Sequence, residues 1–176
     1  MNKFDISKLE KSVREVPDFP KPGIKFKDIT PILINPKLLA MSIEALASHV
    51  DSSSIDKIIG IDARGFIFGS LLSNLLGKGF IPVRKEGKLP WQTESQAYDL
   101  EYGKSVIEIH KDAIDPGERI LIVDDLLATG GTAEAAVKLV EKLSGTVDSL
   151  IFFIELEFLH GRKLLKNTKV QSVLKY

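Results

Sequence analysis

The run Leu121-Ile122-Val123-Asp124-Asp125-Leu126-Leu127-Ala128-Thr129-Gly130-Gly131-Thr132 constrains this chain more than any other. Apolar Ile120-Leu121-Ile122-Val123 ends abruptly in two adjacent carboxylates. A turn of small residues follows, and residues 133–143 then carry amphipathic spacing. In order, that is a buried strand, a tight loop and a helix start. Ala128, Gly130 and Gly131 let the backbone approach a ligand that bulkier side chains would hold off. The turn opens a helix, where unpaired N–H groups and the positive dipole end favour an anion such as phosphate. Asp124 and Asp125 at the strand end suit hydroxyls or a metal, so a phosphate beside two carboxylates points to a sugar phosphate.

Each half of this pattern is common in α/β proteins, since a strand-turn-helix needs no ligand and paired acids can simply be solvated. The combination in one register is far more specific. It lacks the Gly-Lys-Ser/Thr ending of a Walker loop and the Gly-x-Gly-x-x-Gly spacing of a dinucleotide fingerprint. At 176 residues the chain is about one domain with room for a substantial core. A formal net charge of zero predicts no general attraction to nucleic acid or anionic membrane. The absence of Cys excludes disulfides, thiolate zinc sites and a Cys nucleophile. No apolar run reaches spanning length, residues 1–10 are too charged for a signal peptide, and a cytoplasmic setting is the default expectation.

Residues 4–13 predict a short amphipathic helix through Ile6, Leu9 and Val13. Residues 14–31 hold Pro17, Pro20, Pro22, Pro31 and Gly23, which predicts an extended, rigid loop. Phe19, Ile24 and Phe26 on that loop either pack it down or form a hydrophobic hood for a planar base. Asn35-Pro36 reads as an N-cap and N1 pair, after which Leu39, Ile43, Leu46, Ala47 and Val50 share one helical face. Strands are expected at 55–61, 80–83, 105–110, 119–123 and 147–156, with helices at 66–76 and 132–143. Alternation at that spacing implies parallel βαβ units and a sheet covered on both faces.

Asp62-Ala63-Arg64-Gly65 also ends a buried strand in a charged turn, which puts Arg64 at the same carboxyl edge as an anion-binding candidate. Residues 84–103 show no periodicity, and a loop that long is expected to be a lid or binding loop. Lys85 and Lys88 there can meet a polyphosphate, between hinge candidates Gly87 and Pro90. His49, His110 and His160 have no ligand spacing and are read as surface or packing residues.

The run 123–132 resembles the phosphoribosyl pyrophosphate (PRPP) loop of type I phosphoribosyltransferases. Pro17-Asp18-Phe19-Pro20 with Pro22-Gly23-Ile24 and Phe26-Lys27-Asp28-Ile29 is similar to the base-covering segment of the adenine phosphoribosyltransferases. Gly60-Ile61-Asp62-Ala63-Arg64-Gly65-Phe66 resembles their pyrophosphate loop. Residues 85–90 with Tyr98-Asp99-Leu100-Glu101-Tyr102-Gly103 look like their catalytic lid, and Leu100-Glu101-Tyr102-Gly103 is the most family-specific element. The lid departs from the pattern at Trp91-Gln92-Thr93-Glu94-Ser95-Gln96, where variable residues are expected.

The resemblance implies an α/β fold with a type I phosphoribosyltransferase-like core. It would have a mostly parallel twisted sheet with helices on both faces, an N-terminal hood and a mobile lid. One domain would span 1–176, with helix and hood at 1–34 and the lid at 84–103. It implies purine salvage: adenine and PRPP giving AMP and pyrophosphate. Glu101 would be the general acid/base, with Asp124 and Asp125 at the ribose hydroxyls near the developing cation. Ala128, Thr129, Gly130, Gly131 and Thr132 would hold the 5′-phosphate, and Arg64, Lys85 and Lys88 the pyrophosphate. Ile24, Lys25, Phe26, Lys27 and Leu126 would contact adenine. No protein metal ligand is expected, because Mg2+ would be bound mainly through substrate oxygens and water. The resemblance also implies a homodimer, with Arg84 and the stretch after Arg64 near the interface. The alternatives are a phosphoribosyltransferase for xanthine or guanine, and a PRPP- or purine-sensing regulator of the same fold. The regulator would need a nucleic-acid surface, and neither a helix-turn-helix nor a basic stripe is legible.

Overall fold

The computed structural model describes residues 5–99 and 104–176, which divide into two compact units, Met1–Ser48 and His49–Tyr176. In the first unit, α1 (Ile6–Ser12) is capped by Asp5, whose carboxylate accepts from the Lys8 amide at 3.0 Å. Strands β1 (Arg14–Pro17) and β2 (Lys25–Asp28) pair antiparallel, from Arg14 opposite Asp28 to Pro17 opposite Lys25. Helix α2 (Thr30–Leu33) follows.

The extended loop expected over 14–31 is therefore a hairpin and a helical turn. Its prolines are compatible with both, because Pro17 closes a strand, Pro20 and Pro22 lie in the connection, and Pro31 sits at a helix start. In the connection Asp18 (φ +56°) accepts from the Gly23 amide at 2.7 Å, and the Phe19–Pro20 bond is cis. Helix α3 (Pro36–Ala47) carries the expected cap, with Asn35 accepting from the Lys37 and Leu38 amides. Its buried face differs from the expected one: Leu38, Ser42 and Ala45 are covered with Ile43 and Leu46, while Leu39, Ala47 and Val50 are only partly so. The stripe admits Ser42 because its hydroxyl donates to the Leu39 carbonyl at 2.7 Å.

The second unit is a seven-stranded sheet in the order β5-β6-β4-β3-β7-β8-β9. Its parallel part comprises β3 (Lys57–Ile61), β4 (Gly79–Lys85), β7 (Arg119–Leu127), β8 (Thr146–Glu155) and β9 (Lys169–Lys175). β5 (Thr93–Asp99) and β6 (Lys104–His110) form an antiparallel extension on β4. Alternate strand residues serve two helices on opposite faces. Ile59, Ile61, Ile122, Leu150 and Phe152 join α5 (Gly131–Lys142) in one core. On the other face Phe153 stacks on Phe68 of α4 (Gly65–Leu76), ring centroids 5.1 Å apart. α4 comes close to the sheet there: a Cβ on Gly60 or Gly69 would lie 2.7 or 2.9 Å from the Phe80 ring.

Three further expectations change in this unit. Residues 93–99 of the anticipated loop are a strand, which half-buried Thr93 and Tyr98 and full pairing with β6 explain. β9 had no expected counterpart; it is an edge strand whose only buried residue is Leu174, so it carries little apolar signal. β7 was expected to stop at Val123, yet it continues through the acids to Leu127, paired with β8. Its pairing with β3 ends at Gly60 opposite Val123, so the last four residues of β7 have an open edge on that side.

Candidate active site

Strand β3 sends its helix toward β4, whereas β7 sends its helix toward β8, so the chain parts at the carboxyl ends of β3 and β7. In open α/β sheets that crevice is where ligands bind. Both turns singled out from the sequence meet there. The 62–65 turn holds its first residue on the ladder, the Asp62 amide donating to Val83 at 2.9 Å, and the Asp62–Ala63 bond is cis. Arg64 reaches across, its Nε 3.0 Å from Asp125 Oδ2. Gly65 backs onto the acid pair so closely that a Cβ there would lie 2.7 Å from Asp124 Oδ1 and 2.9 Å from the Val123 carbonyl oxygen. Glycine is required by space at this position.

Asp124 Oδ1 also accepts from the Asp125 amide at 2.8 Å. Burial pushes the Asp124 carboxyl well above the ordinary aspartate range, and the neighbouring Asp125 carboxylate pushes the same way. Burial raises Asp125 too, with Arg64 opposing it. The two acids sit in a desolvated position that favours a cation, a metal ion or hydroxyl donors over a second anion.

From Leu127 the chain turns through 128–132 into α5. Gly130 adopts φ +90° at the N-cap, a conformation that suits glycine, and no side chain caps the helix. The turn surrounds a hollow of about 70 Å³ lined also by Asp124 and Leu126. Amides of the first turn are thereby left for an anion beside the acid pair.

Lys85 ends β4 and Lys88 lies three residues on; both are exposed and neither has an ion-pair partner among the described residues. Arg84 braces this turn, its Nε 3.2 Å from Asp62 Oδ2 and its Nη1 donating to the Lys88 carbonyl at 2.9 Å. Glu101 lies outside the described residues. Ile24, Lys25, Phe26 and Lys27 belong to the first unit, and Leu126 to the second. Lys25 and Lys27 both pair with Glu15, at 3.2 and 2.9 Å, while the Phe26 ring meets Phe19 edge-on at 5.1 Å. Those ion pairs hold both lysine side chains within the hairpin.

No cluster of three metal-ligating side chains occurs among the described residues. Two adjacent carboxylates fit a hard cation that draws its remaining ligands from substrate and water. Sequence reasoning missed the Asp62–Arg84 brace and the contact of Gly161 with the 128–130 backbone. Neither has a local signal, because both join residues far apart in the chain.

Comparison with known proteins shows the family. The phosphoribosyl transferase domain family matches residues 28–170. An adenine phosphoribosyltransferase of Thermoanaerobacter pseudethanolicus is 54% identical over 171 residues, covering 97% of this chain and 99% of the relative. A crystal structure of adenine phosphoribosyltransferase from that organism superposes with a TM-score of 0.95, over 97% of this chain and 99% of the other. The Saccharomyces cerevisiae enzyme, solved with adenine and an imino-altritol bisphosphate, is 42% identical, with a TM-score of 0.92 over 96% of this chain and 97% of that one. The chain belongs to the phosphoribosyltransferase family, among its adenine phosphoribosyltransferases.

Proposed function

We propose that this protein transfers the 5-phosphoribosyl group of PRPP to adenine, forming AMP and pyrophosphate in purine salvage. The observation that carries this reading is the joining of a desolvated acid pair and an uncapped helix-opening turn in one strand-turn-helix unit, with Arg64 facing the acids. A phosphate held by the 128–132 amides, with Thr129 and Thr132 hydroxyls assisting, brings the ribose over Asp124 and Asp125. Their negative charge meets the positive charge that develops at the sugar as the bond to pyrophosphate loosens. Arg64, Lys85 and Lys88 take up charge on the departing pyrophosphate. Glu101 handles the purine-ring proton as the base nitrogen attacks.

Ile24, Lys25, Phe26, Lys27 and Leu126 are the proposed adenine contacts, a role carried by the resemblance. The ion pairing of Lys25 and Lys27 favours a backbone role for both. Mg2+, bound mainly through substrate oxygens and water beside the acid pair, would supply charge neutralisation for the pyrophosphate. The whole of 1–176 then serves one reaction, with 1–34 as the hood and 84–103 as the lid. A cytoplasmic homodimer completes the reading.

The test is pyrophosphate release with PRPP and Mg2+ against adenine, hypoxanthine, guanine, xanthine and uracil. Turnover with adenine alone is expected. Turnover with another purine would keep the PRPP chemistry and overturn the base assignment. Tight PRPP binding without turnover on any base would replace the enzyme with a PRPP sensor.

A further inference from the structure

The phosphate-binding turn rests on a second piece of backbone. After β8 the chain passes through a short 3-10 turn, Glu157–Leu159, and His160 (φ +54°) then turns Gly161 against the back of residues 128–130. A Cβ on Gly130 would strike the Gly161 carbonyl oxygen, and a Cβ on Gly161 would strike the Ala128 carbonyl oxygen. The latter would also lie 3.1 Å from the Gly130 amide nitrogen and 3.0 Å from Leu127 Cδ1. Two main chains touch here with no side chain between them. Because the obstacle is backbone, an added methyl cannot be accommodated by a rotamer change; one of the two turns must move. Gly161 lies outside the left-handed region, so space alone demands glycine there, whereas Gly130 needs glycine for φ as well.

The residue after Gly161 anchors this backing. Arg162 makes a two-pronged ion pair with Glu155, the last residue of β8, through Nε at 2.5 Å and Nη2 at 2.7 Å. Its Nη1 donates to the Val170 carbonyl at 2.8 Å, and Nη2 reaches Ser172 Oγ of β9 at 3.2 Å. Glu155 is buried, and the next amide, of Leu156, donates to the Leu127 carbonyl at 2.9 Å. A paired, buried carboxylate with a planar guanidinium defines a fixed geometry that a lysine cannot reproduce.

We propose that Gly161, held in place by the Glu155–Arg162 pair, is a positioning residue that sets the shape of the 128–132 turn and thereby the enzyme's grip on the 5′-phosphate. This rests on the reading of that turn as the phosphate site. A misplacement of about 1 Å in a positioned substrate is enough to cost on the order of a hundredfold in rate.

The experiment compares Gly161→Ala, Arg162→Lys and, as a control inside the turn, Thr132→Val. Each is assayed for KM of PRPP, KM of adenine and melting temperature. Ribose 5-phosphate, which carries the phosphate without base or pyrophosphate, is titrated by calorimetry. Gly161→Ala is expected to weaken PRPP and ribose 5-phosphate about tenfold or more while adenine KM stays within about twofold, and Arg162→Lys to follow more mildly. If Thr132→Val weakens both phosphate ligands and Gly161→Ala weakens neither, the positioning role is overturned while the phosphate site stands. If Thr132→Val also leaves them unchanged, the phosphate site itself is wrong and the proposal falls with it. An equal loss for adenine and PRPP together with a large drop in melting temperature would mark Gly161 as a stability residue and overturn the proposal.

Discussion

Arg64 is the one described cation paired to the acid pair, and a double-mutant cycle with Asp125 measures what that contact is worth. At 3.0 Å, Coulomb attraction between unit charges runs from about 1.4 kcal/mol in bulk water to about 5.5 kcal/mol at an effective dielectric near 20. The Asp125 side chain is 7% exposed and that of Arg64 39%, so one partner is in the interior while the other is screened by water. A coupling energy of about 1–3 kcal/mol is therefore expected, above the exposed-pair range and below the cost of breaking a fully buried pair. Urea unfolding of wild type, Arg64→Gln, Asp125→Asn and the double variant at low ionic strength gives it directly. Arg64→Gln alone should destabilise, since it strands a buried carboxylate beside Asp124. Asp125→Asn should change little, because it removes that charge. Without Arg64 the opposing influence on Asp125 is lost, and its folded-state pKa rises further above the unfolded value. The folded protein then binds more protons than the unfolded chain, so stability must fall as pH rises from the ordinary aspartate value. The deficit of Arg64→Gln should accordingly grow with pH. A coupling below about 0.5 kcal/mol, or a deficit independent of pH, would refute the picture of a desolvated acid held by Arg64.

Asp124→Asn keeps the acceptor for the Asp125 amide and removes the more strongly raised acid. The ligand-free variant should melt above wild type at neutral pH, with the difference vanishing as pH falls to the ordinary aspartate value of 3.8, while PRPP KM rises about tenfold. Equal melting temperatures at every pH would deny the burial penalty. Glu101→Ala should lower kcat about 10²- to 10⁴-fold with PRPP affinity retained, checked by steady-state kinetics and PRPP titration; near-normal turnover would remove Glu101 from the mechanism.

The acid pair, the glycine turn and the helix after it were legible because each is a local instruction. Four apolar residues, two charges and a flexible turn follow one another in the chain, and strand, loop and helix form in that order. Arg64 was legible for the same reason, as a charge placed directly after a buried strand. Helix α3 was legible from its Asn35-Pro36 start, although its buried face was not, since neighbouring elements choose which of Leu38 and Leu39 is covered.

Other features exist only once strands are paired. Residues 93–99 have mixed polarity and become β5 through a partner, β6. β9 is polar and edge-lying, and it becomes a strand through β8. β7 runs past its acids because β8 continues beside it while β3 leaves, a decision made by the two neighbouring strands and not by the motif itself. The Asp62–Arg84 brace and the contact of Gly161 with the 128–132 turn join positions 22 to 33 residues apart in sequence, and no periodicity reports such distances. Sequence alone therefore determined which chemistry the chain carries, because side-chain type and local order are written residue by residue. Tertiary structure decided how that chemistry is held, because contacts between distant backbones depend on sheet order and on what little space is left between the turns.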